Sequence, residues 1–323
     1  MNEIKAGIIG GAGYTGGETI RLLLRHPQVE LAFVQSRSQA GKFLHEVHGD
    51  LLGETDLKFV EGKQTADVMF LCLGHGESKH WMGENILPRS TRVIDLGNDF
   101  RLGDPSGSRD FVYGLPEFQR DVIRDSIYVA NPGCFATTIQ LGLLPLAQAG
   151  LLGEVHTVGI TGSTGAGQKL QETSHFSWRV NNISAYKTLT HQHLGEINQT
   201  LKALQPDFDG AIQFVPWRGD FARGIFVSSI LKIDRSLDEL NALYASYYQS
   251  HPFSLVASRM IDMKQVVNTN KCLIYLEKQG DQLVVHSTLD NLLKGASGQA
   301  VQNMNLLFGF EESAGLNLKS IGF

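Results

Sequence analysis

The chain is predicted to be a two-domain α/β protein, and three observations carry that prediction. Buried-strand and amphipathic-helix signals alternate through its first part. A glycine-rich turn joins the first strand to the first helix. The later part mixes extended runs with helices and contains a hairpin signal. The first two observations predict a doubly wound parallel sheet; the third predicts an α+β second domain. A length of 323 residues suits two such units.

Residues Ile4 to Ile9 are apolar with little alternation, as in a parallel strand buried on both faces. After the glycine turn, Glu18 to Arg25 places Ile20, Leu23 and Leu24 on one helical face, and His26-Pro27 ends the helix. Val29 to Gln35, Val68 to Leu73 and Arg92 to Leu96 read as further strands. The pattern changes after Cys134. Ala136 to Ala149 is an apolar helix closed by Gly150, followed by extended runs at Val155–Ile160, Gly224–Ile233, Cys272–Lys278 and Gln282–Thr288. Gly280-Asp281 joins the last two as a hairpin. Gly298 to Phe308 is helical again and is expected to return to the first domain. The expected domains are therefore residues 1–133 with 295–323, and residues 134–294.

Composition narrows the class. Hydrophobic residues make up 42% and charged residues 19%, enough apolar material for a full core. A net charge of -5 offers no basic face for a nucleic acid. No apolar run reaches the length of a bilayer span, and no signal peptide is read ahead of the first strand. Three cysteines form no disulfide framework. The expected location is the cytoplasm, with neither nucleic acid nor membrane as partner.

Gly10-Gly11-Ala12-Gly13-Tyr14-Thr15-Gly16 satisfies G-x-G-x-x-G between a buried strand and a helix. That context predicts a dinucleotide site, with Gly10, Gly11, Gly13, Tyr14, Thr15 and Gly16 around a pyrophosphate at the helix N-terminus. The second strand ends in Gln35-Ser36-Arg37-Ser38, without the acidic residue that binds the ribose of NAD. One guanidinium and two hydroxyls (Ser36, Arg37, Ser38) suit a 2′-phosphate, so NADP is the expected cofactor.

Asn131-Pro132-Gly133 is a turn, and the helix directly after it puts Cys134 at a helix N-terminus. Unpaired amides and the helix dipole favour a thiolate there, and the amides can receive an oxyanion. Cys134 is the candidate nucleophile. Cys72 and Cys272 lie within or beside apolar strands and read as structural. His191-x-His193-x-x-Glu196 invites a metal reading, but histidines two apart do not share a helix face. No metal is expected. Thr190 is the expected N-cap of the following helix, and one histidine serves as acid/base partner of Cys134, oriented by Glu196.

Together these motifs resemble the N-acyl-γ-glutamyl-phosphate reductases of arginine biosynthesis, in their shorter, type 1 form. The resemblance runs nearly end to end. It takes in Gly10–Gly16, Asp95–Leu102, Val112–Glu117, Asn131–Phe135, Gly162–Gly167, the histidine segment, Arg223-Gly224 and Asp290–Ala300. It implies an NAD(P)-binding Rossmann domain and a catalytic domain like the C-terminal domain of glyceraldehyde-3-phosphate dehydrogenase. The implied reaction is NADPH-dependent reductive dephosphorylation of an acyl phosphate to a semialdehyde, releasing inorganic phosphate, in a homodimer or homotetramer. By the same resemblance Cys134 is the nucleophile and His191 the acid/base, with His193 and Glu196 in support. Arg101 and Arg223 are candidates for the substrate phosphate and carboxylate, unless either holds a structural ion pair. Ser163 would touch substrate, and Gly165, Ala166, Asn291 and Lys294 the cofactor. Gly74-His75-Gly76 departs from the usual Pro-His-Gly, and Phe135 stands where Tyr is more common. Aspartate-semialdehyde dehydrogenase chemistry and a nonenzymatic NADP-binding regulator are the competing readings. The acyl group stays open.

Overall fold

A computed structural model describes residues 3–62, 64–104 and 106–322. The chain folds as two units, Met1–Pro132 with Ala296–Asn317, and Gly133–Gly295 with Leu318–Phe323. Against the expected borders, Gly133, Gly295 and the segment from Leu318 fall in the second unit. The Asn268 amide holds that last segment, donating to the Lys319 carbonyl at 3.1 Å.

The first unit runs β1 (Ile4–Ile9), α1 (Tyr14–Leu23), β2 (Val29–Gln35), β3 (Phe59–Val60), β4 (Val68–Leu71), α2 (Glu77–Glu84), β5 (Arg92–Asp95), β6 (Phe111–Tyr113), α3 (Pro116–Arg124) and β7 (Tyr128–Ala130). Its strands form one sheet in the order β3-β2-β1-β4-β5-β7-β6. Every pairing in it is parallel. From β1 the chain builds outward to β2 and β3, then crosses back to β4. The carboxyl end of β1 is thus a topological switch point, where open α/β sheets bind ligands. β4 is buried at every position, which explains its unbroken apolar sequence.

The first helix begins four residues earlier than Glu18, at Tyr14. Gly16 and Gly17 have poor helix propensity and hid that first turn. Packing explains them: a Cβ on Gly16 would sit 2.6 Å from the Gly11 Cα, and one on Gly17 would sit 2.8 Å from the His48 ring.

The second unit comprises α4 (Cys134–Gln148), β8 (Val155–Thr161), α5 (Phe176–Arg179), β9 (Ser184–Ala185), α6 (His193–Leu204), β10 (Ile212–Arg218), β11 (Ile225–Lys232), α7 (Leu237–Tyr248), β12 (Ser254–Val256), β13 (Cys272–Gln279) and β14 (Gln282–Leu289). Their order in the sheet is β12-β13-β14-β11-β8-β10-β9. The β8–β10 and β12–β13 pairs are parallel and the others antiparallel. The β13–β14 hairpin turns through Gly280 and Asp281, with Gly280 at φ +58 as mirror-image hairpin turns require. Helix α4 packs on β14, β11 and β13 and against α6 and α7. All its side chains from Phe135 to Ala147 are buried. The final helix, α8 (Gly298–Leu307), belongs to the first unit and packs on α1 and α3.

Pro145 sits inside α4. It has no N–H to give the Leu141 carbonyl four residues earlier. The Tyr248 hydroxyl on α7 donates to that carbonyl instead. One residue on, Tyr244 donates to the Gly142 carbonyl at 2.6 Å. Both tyrosines are buried, and loss of the Tyr248 hydroxyl strands the Leu141 carbonyl away from water. Tyr248→Phe is expected to lower the unfolding free energy by about 1–3 kcal/mol, with the urea m-value unchanged. A loss below about 0.5 kcal/mol would mean that the carbonyl finds another donor.

Candidate functional site

The glycine turn after β1 is built by close approach. Gly10 takes φ +82, and a Cβ there would lie 2.5 Å from the Cys72 carbonyl oxygen. A Cβ on Gly11 would lie 2.1 Å from Val34. Gly13 differs: nothing lies within 4 Å of its missing Cβ. It is the N-cap of α1 and supplies no side-chain cap, leaving the helix amides to a ligand. Two residues outside the sequence expectation brace this turn. His48 Nε2 donates to the Gly11 carbonyl at 2.8 Å, and Ser297 Oγ donates to the Thr15 carbonyl at 2.9 Å. Burial, chiefly, pushes the His48 pKa down and keeps the ring neutral. Tyr14 is exposed beside the turn. At the end of β2, Ser36 is buried while Arg37 and Ser38 are exposed. This cradle fits the diphosphate and 2′-phosphate of NADP.

In the same unit Arg101 reaches backbone carbonyls, with Nε on Asn131 at 2.9 Å and Nη2 on Leu96 at 3.2 Å. Asp95, fully buried, accepts the Ser78 hydroxyl at 2.6 Å and the Gly97 N–H at 3.0 Å. Burial raises its pKa to about 6. Cys72 is only partly covered as a residue, but burial of its thiol pushes the pKa to about 12, which leaves it inert.

In the second unit Cys134 is the first residue of α4 and is partly exposed. The Glu196 carboxylate accepts the Gly133 N–H at 3.0 Å and lies 3.9 Å from His193 Nε2. The other side is formed by Gly295, where a Cβ would stand 2.8 Å from the Cys134 Cβ. Gly295 lies in a π-helical turn, Leu293–Ser297, a form of backbone often found at functional sites. Lys294 is fully buried in that turn. Phe135 packs edge-on against His191 at 5.7 Å and Phe214 at 5.0 Å. Gly159 makes room for it, since a Cβ there would meet the Phe135 ring at 2.6 Å.

Helix α6 starts at His193, and its N-cap is Gln192 without a side-chain bond, so Thr190 is not the cap. The His191 ring takes part of that role, since the His193 N–H donates to its Nδ1 at 3.3 Å. The single proton of neutral His191 therefore resides on Nε2. Burial first, then the charges of Lys187 and Arg218, lowers its pKa to about 4. Tyr186 completes the pocket, its ring 5.7 Å from His191. Burial first, then the Cys134 charge, raises its pKa to about 12. Sequence reasoning missed Tyr186, which sits in an irregular loop with no motif around it. Lys187 and Leu189 on this loop have positive φ, +46 and +60, and are held there by bonds from Tyr186 and Leu189 to β10 carbonyls.

The other named residues separate into two groups. Arg223 is paired to Asp290, Nε to Oδ2 at 3.0 Å and Nη2 to Oδ1 at 3.3 Å. That is the structural ion pair left open above. Ser163, Gly165 and Ala166 form one turn of 3-10 helix, partly exposed. Asn291 is buried and braces that turn, donating to Thr164 Oγ1 at 2.9 Å and accepting the Gly224 N–H at 2.8 Å. Each end of its amide thus makes one bond within the second unit. Among the described residues, no group of three or more His, Cys, Asp or Glu could hold a metal ion. Nor is any described helix long and apolar enough to cross a membrane.

Two family models match: the semialdehyde dehydrogenase NAD binding domain over residues 5–126, and the semialdehyde dehydrogenase dimerisation domain over residues 134–291. Among curated relatives, the N-acetyl-gamma-glutamyl-phosphate reductase of Bacteroides thetaiotaomicron is 54% identical over 323 residues, covering 99% of this chain and 100% of that protein. Those of Flavobacterium johnsoniae and Phocaeicola vulgatus are 54% and 55% identical with the same coverage. A solved aspartate semialdehyde dehydrogenase II from Vibrio cholerae, complexed with ASA, superposes with a TM-score of 0.75 at 14% identity over 96% of this chain and 99% of that one. The Candida albicans aspartate semialdehyde dehydrogenase with NADP gives 0.70 at 14% identity over 94% and 98%. At such identities the likeness concerns the fold, an NAD(P)-binding parallel-sheet domain with an α+β partner. The chain belongs to the N-acetyl-gamma-glutamyl-phosphate reductases of the semialdehyde dehydrogenase family.

Proposed function

We propose that this chain reduces N-acetyl-γ-glutamyl phosphate to N-acetyl-glutamate 5-semialdehyde and inorganic phosphate, as a step of arginine biosynthesis in the cytoplasm. The observation that carries this reading is the placement of Cys134 on the first turn of α4, with Glu196 on the preceding amide and Tyr186 and His191 close by. The Cys134 thiolate attacks the acyl carbon, the bond from that carbon to the phosphate oxygen breaks, and a thioester forms. Amides at the start of α4 stabilise the charge that develops on the carbonyl oxygen. Hydride addition to the thioester gives a thiohemiacetal oxyanion that collapses to the aldehyde and the Cys134 thiolate; neutral His191 stabilises that oxygen by donating a hydrogen bond from Nε2–H, while Glu196 and His193 hold the segment in place. The cofactor is NADPH, which supplies the hydride; Arg37, Ser36 and Ser38 would hold its 2′-phosphate, and Gly10, Gly11, Gly13, Tyr14, Thr15 and Gly16 its diphosphate. Ser163, Gly165 and Ala166 present a partly exposed turn suited to substrate or nicotinamide. Arg101 and Lys294 keep their proposed parts in phosphate and cofactor binding.

Self-association into a dimer or tetramer is part of the same reading. The face of the second sheet away from α4 carries apolar residues in partial contact with solvent, Val158 and Ile230 at 47% and 37% exposure among them. Such a face suits a second copy of the chain.

Running the reaction backwards tests the function. NADP reduction with N-acetyl-glutamate 5-semialdehyde is expected to require phosphate and to vanish in Cys134→Ser, with NADPH binding nearly unchanged. Phosphate-independent turnover, or activity surviving in Cys134→Ser, would contradict the thioester route.

The low pKa of His191 has a further consequence for stability. Its folded-state value, about 4, lies below the ordinary 6.5. Between those values the unfolded chain binds the proton more strongly, so stability held above the upper value falls as pH drops toward the lower. His191→Asn should therefore lose less stability than the wild type between about pH 7 and about pH 5, read from urea midpoints. Equal losses would show that His191 titrates normally.

A further inference from the structure

Arg223 is committed to Asp290, yet a different guanidinium stands beside Tyr186 and His191. Arg218 ends β10, where pairing with Ser184 on β9 fixes its backbone, and its carbonyl accepts Arg179 Nη1 at 2.7 Å. Its guanidinium lies over the Tyr186 ring, 4.5 Å from the centroid. The Tyr186 ring packs edge-on against His191, 5.7 Å between centroids, and the His191 ring packs edge-on against Phe135, the residue after Cys134. Arg218 therefore borders the Cys134–Tyr186–His191 pocket.

What Arg218 lacks is a counter-charge. Its Nε is buried without a hydrogen-bond partner. Among the described residues, no carboxylate forms an ion pair with it; the Asp220 carboxylate nearby accepts the Asn181 N–H instead. Its neighbours add to the positive field. Arg179 is buried, with its donors on Thr173, Asn182, Ser184 and Arg218 itself, none of them anionic. Lys187 also acts on His191. A guanidinium with a buried, unused donor and cationic neighbours costs stability unless an anion arrives to meet it.

The chemistry favours a carboxylate over a phosphate. Phosphate sites usually gather several backbone amides, but the neighbouring Gly219 N–H already donates to the Thr161 carbonyl. One planar guanidinium can satisfy a carboxylate by itself through two parallel bonds. We propose that Arg218 binds a carboxylate of the substrate and thereby fixes the reacting carbon against Cys134. This rests on the acyl-phosphate reductase reading above. In an N-acyl-glutamyl substrate that carboxylate has two sources, the α-carbon or the acyl group itself.

Full-length Arg218→Met and Arg218→Lys are compared with the wild type in phosphate-dependent NADP reduction. Substrates are N-acetyl-glutamate 5-semialdehyde, its α-carboxamide, and a semialdehyde whose acyl group carries a terminal carboxylate. Loss of a charge-assisted pair predicts a KM for aldehyde about tenfold or more higher in Arg218→Met, with Lys intermediate. KM for phosphate and NADP should stay within about twofold, well short of that change. If the α-carboxylate is bound, the carboxamide is poor with the wild type and loses nothing further on mutation. If the acyl carboxylate is bound, only the substrate carrying it loses. A second readout needs no turnover: the carboxylic acid counterpart of the semialdehyde that carries both the α- and the acyl carboxylate should slow iodoacetamide alkylation of Cys134 in the wild type and not in Arg218→Met. Unprotected alkylation rates matching the wild type show that the variants are folded, and Arg218→Lys carries the test if the Met variant is not. Unchanged aldehyde KM for every substrate, a change confined to KM for phosphate, or equal protection in both proteins would overturn the proposal. A wild type without turnover would count against the reductase reading alone, and the protection experiment would still decide the role of Arg218.

Discussion

The bond from the Gly133 N–H to the Glu196 carboxylate sets where α4 begins, and the chemistry of the second unit depends on it. Glu196 sits in the first turn of α6, where a negative charge is favoured by the helix dipole, so one carboxylate serves the N-termini of two helices. The residue it anchors precedes Cys134. On the opposite side Gly295 closes to a distance no larger side chain would allow. Cys134 is thus placed by a carboxylate and by the absence of a methyl group. Phe135, next in the chain, carries the restraint onward to His191 and Phe214 and seats itself over Gly159.

The first unit follows the same logic of close backbone approach toward a different end. Gly10, Gly11 and Gly16 are required by contacts within the protein, whereas Gly13 alone faces open space. Three glycines therefore shape the turn and one leaves room for a ligand. His48 and Ser297, from distant parts of the sequence, hold the turn's carbonyls and so orient its amides outward.

Much of this was legible in the sequence. Strands buried on both faces, such as β1 and β4, announce themselves as continuous apolar runs, and the strand–glycine–helix context identifies the nucleotide turn. Cys134, at the junction of turn and helix, was legible for the same reason. Short strands were not: β3, β6, β7 and β9 have two or three residues each, too few for a period to show. β10 is long enough, but Pro216 and the flanking Trp217-Arg218 mask its strand character. At the site, the sequence pointed to residues inside motifs. Tyr186 and Arg218 lie outside them and reach the pocket only through the pairing of β9 with β10 and the strained loop that follows. Asn291 lies inside a motif, but the bonds by which it braces the Ser163–Ala166 turn and Gly224 could be seen only in the fold.

The central claim is that Cys134 carries the acyl group covalently. Mixing the protein with N-acetyl-γ-glutamyl phosphate in the absence of NADPH, then quenching in acid and measuring the intact mass, examines it directly. An added mass equal to the N-acetyl-glutamyl group, located on the Cys134 peptide, removed by hydroxylamine and absent in Cys134→Ser, is the predicted result. Full release of phosphate on addition of NADPH, with no acyl mass on Cys134 at any time point and no loss of rate in Cys134→Ser, would contradict it.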